Sequence, residues 1–445
     1  MVHTFRCVGR VFMLDTESGS LFEIDELTKK VVDRRIAPDE VSEGAFSCYE
    51  NSEIAAVESE IDELIKEGVL FTPAHTYAKP VYSGIIKAMC LNISHNCNLK
   101  CEYCFADGGT YNKERKNMPL DVALKAIDFL VAKSGKRKNL EVDFFGGEPL
   151  LNFDVVKKTV AYARSLEEKF GKKFRFTITT NAVLLNDEVT EYCNKEMYNV
   201  VVSIDGRKNV HNCVRKTLGG KDSYDMVLKN ALRFKELRGD RQYFVRGTFT
   251  ALNTDFAKDV LALNDLGFDC ISVEPVVLPE TNRLAIKEEH IEYLKKQYDE
   301  LAEEYLRRRN TDKHFEFFHF ILNLKEGPCE AKRLTGCGAG CEYVAVNPDG
   351  NIYPCHQFDG NDSFVIGNVK DGTFETTIPQ RFAATNVTTK ENCPDCWAKY
   401  YCSGGCNANA FNFNGSFDKP YRGACELMRK RIECALAVNS IECEN

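Results

Sequence analysis

No stretch of the 445 residues reaches the ~18–20 uninterrupted apolar residues of a membrane-crossing helix. The opening, Met1 to Leu14, carries polar residues throughout rather than the apolar core of a secretion signal. A soluble, cytoplasmic chain with no membrane partner is therefore the expectation. Basic charge is scarce as well: 58 Lys and Arg face 66 Asp and Glu, for a net charge of -8. With no long basic run, a nucleic-acid partner held by phosphate contacts is excluded. Several reactive motifs are missing too: P-loop, Gly-x-Gly-x-x-Gly, His-Glu-x-x-His and nucleophile elbow. Cysteine alone is abundant, with twenty in the chain. A reducing compartment and a chain long enough for sizeable cores both argue against a disulfide framework, which leaves metal ligation or catalysis.

The cysteines divide the chain. Cys7, Cys48, Cys90, Cys193, Cys213 and Cys270 stand alone among apolar neighbours, and most of them read as buried small hydrophobes. Cys97, Cys101 and Cys104 form a tight group, and eleven more crowd between Cys329 and Cys443. Residues 1–75 read as a unit of their own. Segments 11–15 and 21–25 flank a Thr-Glu-Ser-Gly turn, two helical patterns follow, and Val69, Leu70 and Phe71 return as a short strand. This is a winged-helix-like pattern too acidic for DNA, so peptide recognition at a strand edge is the functional option and an N-terminal brace the structural one.

Between 83 and 310 a strand-then-helix rhythm repeats about six times, with strands expected at 86–93, 140–145, 174–180, 200–204, 243–250 and 270–276. Such alternation predicts parallel βαβ units closing into a partial (β/α)6 barrel of the α/β class, with the chemistry at the strand ends. From 311 to 445 the rhythm stops. The one clear element there is a hairpin turning at Asn347-Pro348-Asp349-Gly350, and the cysteines are expected to hold the region together through metal. His314 and His319, among Phe315, Phe317, Phe318 and Phe320, read as packing.

Cys97, Cys101 and Cys104 follow the first strand in a C-x3-C-x2-C spacing. Three thiolates from one loop can hold a cubane iron–sulfur cluster with one iron open. A zinc ion with His95 as fourth ligand is the alternative. The second strand ends in Gly146-Gly147-Glu148-Pro149, where paired glycines allow close approach and the carboxylate can accept from an ammonium. Downstream, Cys393, Cys396, Cys402 and Cys406 are spaced C-x2-C-x5-C-x3-C, with Cys425 beyond and Cys337, Cys341 and Cys355 upstream. Zinc ribbons share part of that array.

In combination, the cysteine triplet and the GGEP strand end resemble the radical S-adenosylmethionine (SAM) enzymes, and the later array resembles their SPASM extension. The resemblance implies three [4Fe-4S] clusters plus SAM. The first cluster would sit on Cys97, Cys101 and Cys104, and the outer one on Cys393, Cys396, Cys402 and Cys425. The inner cluster would take Cys355 and Cys406 with Cys337, Cys341 or both; Cys341 falls short of the usual gap, which could leave an iron open to a substrate thiol. Gly146, Gly147 and Glu148 would hold the methionine amino group, Ser203 and Arg215 the ribose or carboxylate, and Phe105 would lie near the adenine. Thr180 and Asn181 are further candidates, although Asn181 suits a turn and Arg215 a surface ion pair equally well. Cys329, Cys434 and Cys443 are then surplus.

Across all three parts, including the opening Met-Val-His-Thr-Phe, the chain is similar to the maturases of the "six cysteines in forty-five" (SCIFF) peptides. That similarity implies a cysteine-rich precursor whose leader binds the N-terminal unit as an added strand, and an electron donor such as flavodoxin or ferredoxin. It also implies thioether links from cysteine sulfur to an acceptor α-carbon. The expected route is hydrogen abstraction by a 5′-deoxyadenosyl radical, attack by a thiolate held at or near the inner cluster, and release of the surplus electron to that cluster. A formylglycine-forming sulfatase maturase is the rival enzyme, and a non-catalytic zinc-ribbon binder the rival of another class.

Overall fold

The computed structural model describes residues 1–78, 80–322 and 330–444. Strands β1 (Val2–Cys7), β2 (Arg10–Asp15) and β3 (Leu21–Ile24) make an antiparallel sheet in that order. Helices α1 (Glu26–Ile36) and α2 (Asn51–Lys66) cover it. The Asp25 side chain caps α1 by accepting from the Thr28 amide. Leu27, Val31, Val32 and Ile61 close a small core over Val2 and Met13. The strand expected at Val69, Leu70 and Phe71 does not form, because positive φ at Gly68 (75°) and Phe71 (51°) turns the chain there. Leu70 is still buried, and the third strand of the sheet is β1.

The barrel runs β4 (Ala88–Ser94), β5 (Leu99–Cys101), α3 (Leu120–Lys133), β6 (Asn139–Gly146), α4 (Phe153–Phe170), β7 (Lys173–Thr180) and α5 (Asp187–Glu196). It continues through β8 (Asn199–Ser203), α6 (Lys208–Val214), β9 (Arg215–Thr217), α7 (Tyr224–Arg238), β10 (Tyr243–Phe249), α8 (Phe256–Asp265), β11 (Cys270–Pro275), α9 (Glu288–Arg308) and β12 (Glu316–Phe317). Strands β4, β6, β7, β8, β10, β11 and β12 pair in parallel in that spatial order. The six expected strands are present. Val142, Phe144, Phe176, Ile178, Val200, Val202 and Val245, on the face of the sheet opposite the cavity, pack with the helices' apolar stripes in one core.

The remainder departs from expectation. After α10 (Glu330–Thr335), the hairpin β13 (Tyr343–Val346) and β14 (Asn351–Tyr353) is no separate piece. β13 pairs in parallel with β4, Val344 opposite Met89, so the barrel sheet continues through the hairpin into β15 (Gly367–Asn368) and β16 (Thr373–Phe374), eleven strands in all. At the other edge β12 lies beyond the boundary expected at residue 310. Helices α11 (Thr377–Ala384), α12 (Lys399–Cys402) and α13 (Asn407–Asn414) follow, and then α14 (Arg422–Glu444), which packs along α9. Buried Leu427, Ile432, Cys434, Leu436 and Val438 give α14 an apolar face merged with the barrel core. Cys434 lies on that face, and its place in a cysteine-rich stretch masks the helix's apolar pattern. This half of the chain is therefore held by sheet pairing and helix packing as well as by whatever its thiols bind.

The N-terminal unit is seated on the same half. His3 stacks on Trp397 with ring centroids 4.0 Å apart, and Thr16 Oγ1 donates to the Trp397 carbonyl at 3.0 Å. Glu17 accepts from Lys399 at 2.9 Å and from Tyr400 at 3.0 Å, and these partners hold its carboxyl below the usual range despite burial. No helix among the described residues is long and apolar enough to cross a membrane.

Candidate active site

The first cysteine triplet lies where β4 ends. β5 pairs with β9 so that Cys101 stands opposite Arg215, which joins two expected site residues through a two-stranded sheet. Cys97 is buried; its sulfur accepts from the Leu99 amide at 3.5 Å and from Asn181 Nδ2 at 3.6 Å. Burial pushes the Cys97 thiol up to about 12 and that of Cys101 to about 11, so both hold their protons at neutral pH until a metal displaces them.

The glycines beside them answer to backbone crowding. The Gly147 amide donates to Ser94 O at 2.7 Å and the Glu148 amide to Asn96 O at 2.8 Å, sewing the end of β6 to the cysteine loop. A Cβ on Gly147 would stand 2.3 Å from Asn96 O and 3.0 Å from Gly109 Cα, and one on Gly146 2.4 Å from Ser94 O. Backbone atoms cannot rotate aside. Gly147→Ala is therefore expected to displace the cysteine loop at a cost of about 1–3 kcal/mol, read as a lower melting temperature together with reduced iron retention after desalting.

Glu148 differs from expectation. It is fully buried, and its carboxylate accepts from the Leu150 amide (3.1 Å), Thr180 Oγ1 (2.8 Å) and the Asn181 amide (2.7 Å). It ties the end of β6 to the end of β7 rather than facing the cavity, with burial raising its carboxyl to about 7. His95 is likewise committed elsewhere. Its Nε2 lies 2.7 Å from Asp359, which also accepts from Asn92 at 2.6 Å and Asn347 at 3.1 Å, and among the described residues no group of three ligand atoms within 4.8 Å joins His95 to the triplet, so the alternative of His95 as a fourth zinc ligand is set aside.

One cavity of about 690 Å³ opens over the strand ends. Cys97, Cys101, Cys104, Phe105, Gly146, Gly147, Thr180, Asn181, Ser203 and Arg215 all border it. So do Cys402, Cys406 and Cys425 from the C-terminal half. Phe105 is half exposed, beside Phe145 and His356. The Arg215 guanidinium is buried; it donates to Tyr103 Oη (2.9 Å) and Ser203 O (3.2 Å), and Tyr103 donates to Asp205 (2.6 Å). Its Nε is buried with no partner. Tyr103, between Cys101 and Cys104, and Asp205, two residues after Ser203, are not among the residues the sequence singles out. Arg246, Glu274 and Arg431, which also line the cavity, carry no sequence signal.

Cys393, Cys396, Cys402 and Cys425 gather near α12 and the start of α14, each thiol of Cys393, Cys402 and Cys425 raised first by burial and then by the charge of others in the group. Cys355 is raised by burial and by Cys406 and Cys337, whereas Cys341 responds to Cys337 and its sulfur points to Pro379 O at 3.5 Å. Cys337 is thus the thiol shared between Cys355, Cys406 and Cys341. Cys329 lies outside the described residues.

A tetrahedral zinc ion with bonds of about 2.3 Å to sulfur needs its ligand sulfurs about 3.8 Å apart. Among the described residues, no three of these site cysteines bring their sulfurs within 4.8 Å of one another. Those sulfurs therefore do not stand at the spacing of ligands around one zinc ion. With the buried, unpartnered Arg215 Nε beside the first triplet, the donor set fits a cubane and a carboxylate-bearing ligand.

Residues 91–252 match the radical SAM superfamily and residues 337–397 the SPASM iron–sulfur cluster-binding domain. The radical SAM cyclopropyl synthase TigE of Paramaledivibacter caminithermalis is 24% identical over 93% of this chain and 90% of its own. A cysteine-type anaerobic sulfatase-maturating enzyme of Clostridium perfringens is 27% identical over 70% of this chain and 86% of its own. In fold, the chain is similar to Streptococcus suis SuiB bound to S-adenosylmethionine (TM-score 0.56, 18% identity, 93% of this chain and 96% of that one). The same enzyme bound to its precursor peptide SuiA gives a TM-score of 0.53 at 17% identity, covering 94% and 97%.

Proposed function

We propose that this chain, which carries a radical SAM domain and a SPASM iron–sulfur domain, is a peptide maturase that joins cysteine sulfur to an acceptor α-carbon in a cysteine-rich precursor. The observation that carries the reading is the single cavity into which both the first cysteine triplet and Cys402, Cys406 and Cys425 open. SAM on a reduced cluster supplies a 5′-deoxyadenosyl radical. The chain's own part is placement. Cys97, Cys101 and Cys104 would anchor the cluster, and Arg215 would offer its free Nε to the methionine carboxylate. Ser203, Thr180 and Asn181 would border the ribose, with Phe105 beside the adenine. Gly146 and Gly147 would leave backbone accessible to the amino group, with Glu148 holding that strand end in place.

Cys393, Cys396, Cys402 and Cys425 would hold the outer cluster, and Cys355, Cys406 and Cys337 the inner one, with Cys341 near enough to complete or vacate it. Residues 1–75 would take the leader along β3, which pairs with β2 on one side and has no partner strand on its other among the described residues. Its seat on Trp397, Lys399 and Tyr400 would hold a bound peptide close to the cluster-bearing half. The sulfatase-maturating relative, matched over 70% of this chain, gives formylglycine formation as a second reading.

Precursor deuterated at the acceptor α-carbon is expected to pass deuterium into 5′-deoxyadenosine. The peptide should lose the mass of two hydrogens and one alkylatable thiol per link. Absence of transfer would remove the scheme; an aldehyde at the cysteine position in place of a link would establish the formylglycine reading.

A further inference from the structure

We propose that Cys7, Asp299 and Cys434 form a site for one divalent thiophilic cation of the zinc class, separate from the cluster cysteines and from the reaction proposed above. The three residues come from the end of β1, the middle of α9 and the middle of α14, and no motif joins them in sequence. Yet one ligand atom of each lies within 4.8 Å of the other two, the single such group of three among the described residues. Cys434 Sγ stands 3.8 Å from Asp299 Oδ1, the spacing of two ligands around a tetrahedral ion. Both cysteines are buried.

The charges also suit a cation. Two thiolates and a carboxylate bring three negative charges, and a dication leaves one over. Lys430 neutralises it, its ammonium 2.5 Å from Asp299 Oδ1. Glu433, 3.5 Å from the same ammonium, is shared with His3 at 2.9 Å. A carboxylate has lone pairs enough for an ammonium and a metal together. The Asp299 side chain is 34% exposed, which admits the water that would complete four-coordination. The ion would tie the N-terminal sheet to the two helices behind the barrel, adding to the His3–Glu433 contact and the packing of β1 on α14.

The test uses the full-length protein with its clusters reconstituted, supplied with one equivalent of zinc and desalted. X-ray absorption at the zinc edge reads the site without interference from iron. The expected result is about one zinc per chain with two sulfurs at about 2.3 Å and two lighter ligands at about 2.0–2.1 Å. Cys7→Ser should lose the zinc while iron content holds. The near-isosteric Asp299→Asn, which leaves both thiols in place, should weaken zinc retention at least about tenfold. Zinc absent from the wild type, zinc bound by four sulfurs and retained in Cys7→Ser, or a Cys7–Cys434 disulfide in freshly purified protein would each overturn the proposal.

Discussion

Replacing Cys97, Cys101 and Cys104 together by alanine is expected to reduce 5′-deoxyadenosine formation to the no-enzyme background and to remove about four of about twelve irons, the content of one cubane among three. The expectation rests on how these thiols are held. They project from a loop sewn to the end of β6 by two backbone hydrogen bonds, and Cys97 takes amide protons from Leu99 and Asn181. With Cys97 and Cys101 held protonated by burial, they bind metal by giving up protons to it, and alanine offers nothing to take their place. The auxiliary cysteines belong to other elements and should keep their irons. Iron analysis and chromatographic detection of 5′-deoxyadenosine check both halves. Persisting SAM cleavage, or loss of all iron, would place the first cluster elsewhere.

Arg215→Ala is expected to cost about 3–5 kcal/mol of stability, the usual penalty for removing one partner of a buried charge pair. The guanidinium is 6% exposed and the Asp205 side chain 1%, 3.9 Å apart and bridged by Tyr103. Burial raises the Asp205 carboxyl, and Arg215 is the first of the groups that pull it back down. Without the guanidinium, Asp205 is left in a low-dielectric pocket with Tyr103 and the Thr248 amide as its remaining partners. Arg215→Lys keeps the charge but loses the fork, so it should recover part of the melting temperature while leaving SAM affinity low. Thermal unfolding and equilibrium SAM binding separate the two effects. Unchanged stability and SAM affinity in Arg215→Ala would remove Arg215 from both roles.

The barrel was legible because its signal is local. Strands such as β6 and β7 bury alternate residues against the helices, and α3 and α4 begin and end where their patterns do. Where a local backbone turn or a distant partner decides the outcome, the pattern misleads. Val69, Leu70 and Phe71 look like a strand until Gly68 and Phe71 turn the backbone. The hairpin at β13 was visible, but nothing in Tyr343–Val346 announces that β4, some 250 residues earlier, is its neighbour. In the site, Glu148 is found by motif, but which amides fold around its carboxylate is decided only by the tertiary structure.

By itself the sequence determined the alternation of strands and helices, the grouping of the cysteines and hence the class of cofactor, since these depend on residue type and spacing within a few turns of chain. The tertiary structure alone decided the rest. Sheet pairing across β4 and β13 merges the halves, the β5–β9 pair sets Arg215 beside Cys101, and one cavity joins the first triplet to Cys402, Cys406 and Cys425. Cys7 and Cys434 meet at Asp299 only because β1, α9 and α14 converge. Contacts between residues hundreds of positions apart are written in packing and hydrogen bonding, which leave no periodicity for the sequence to carry.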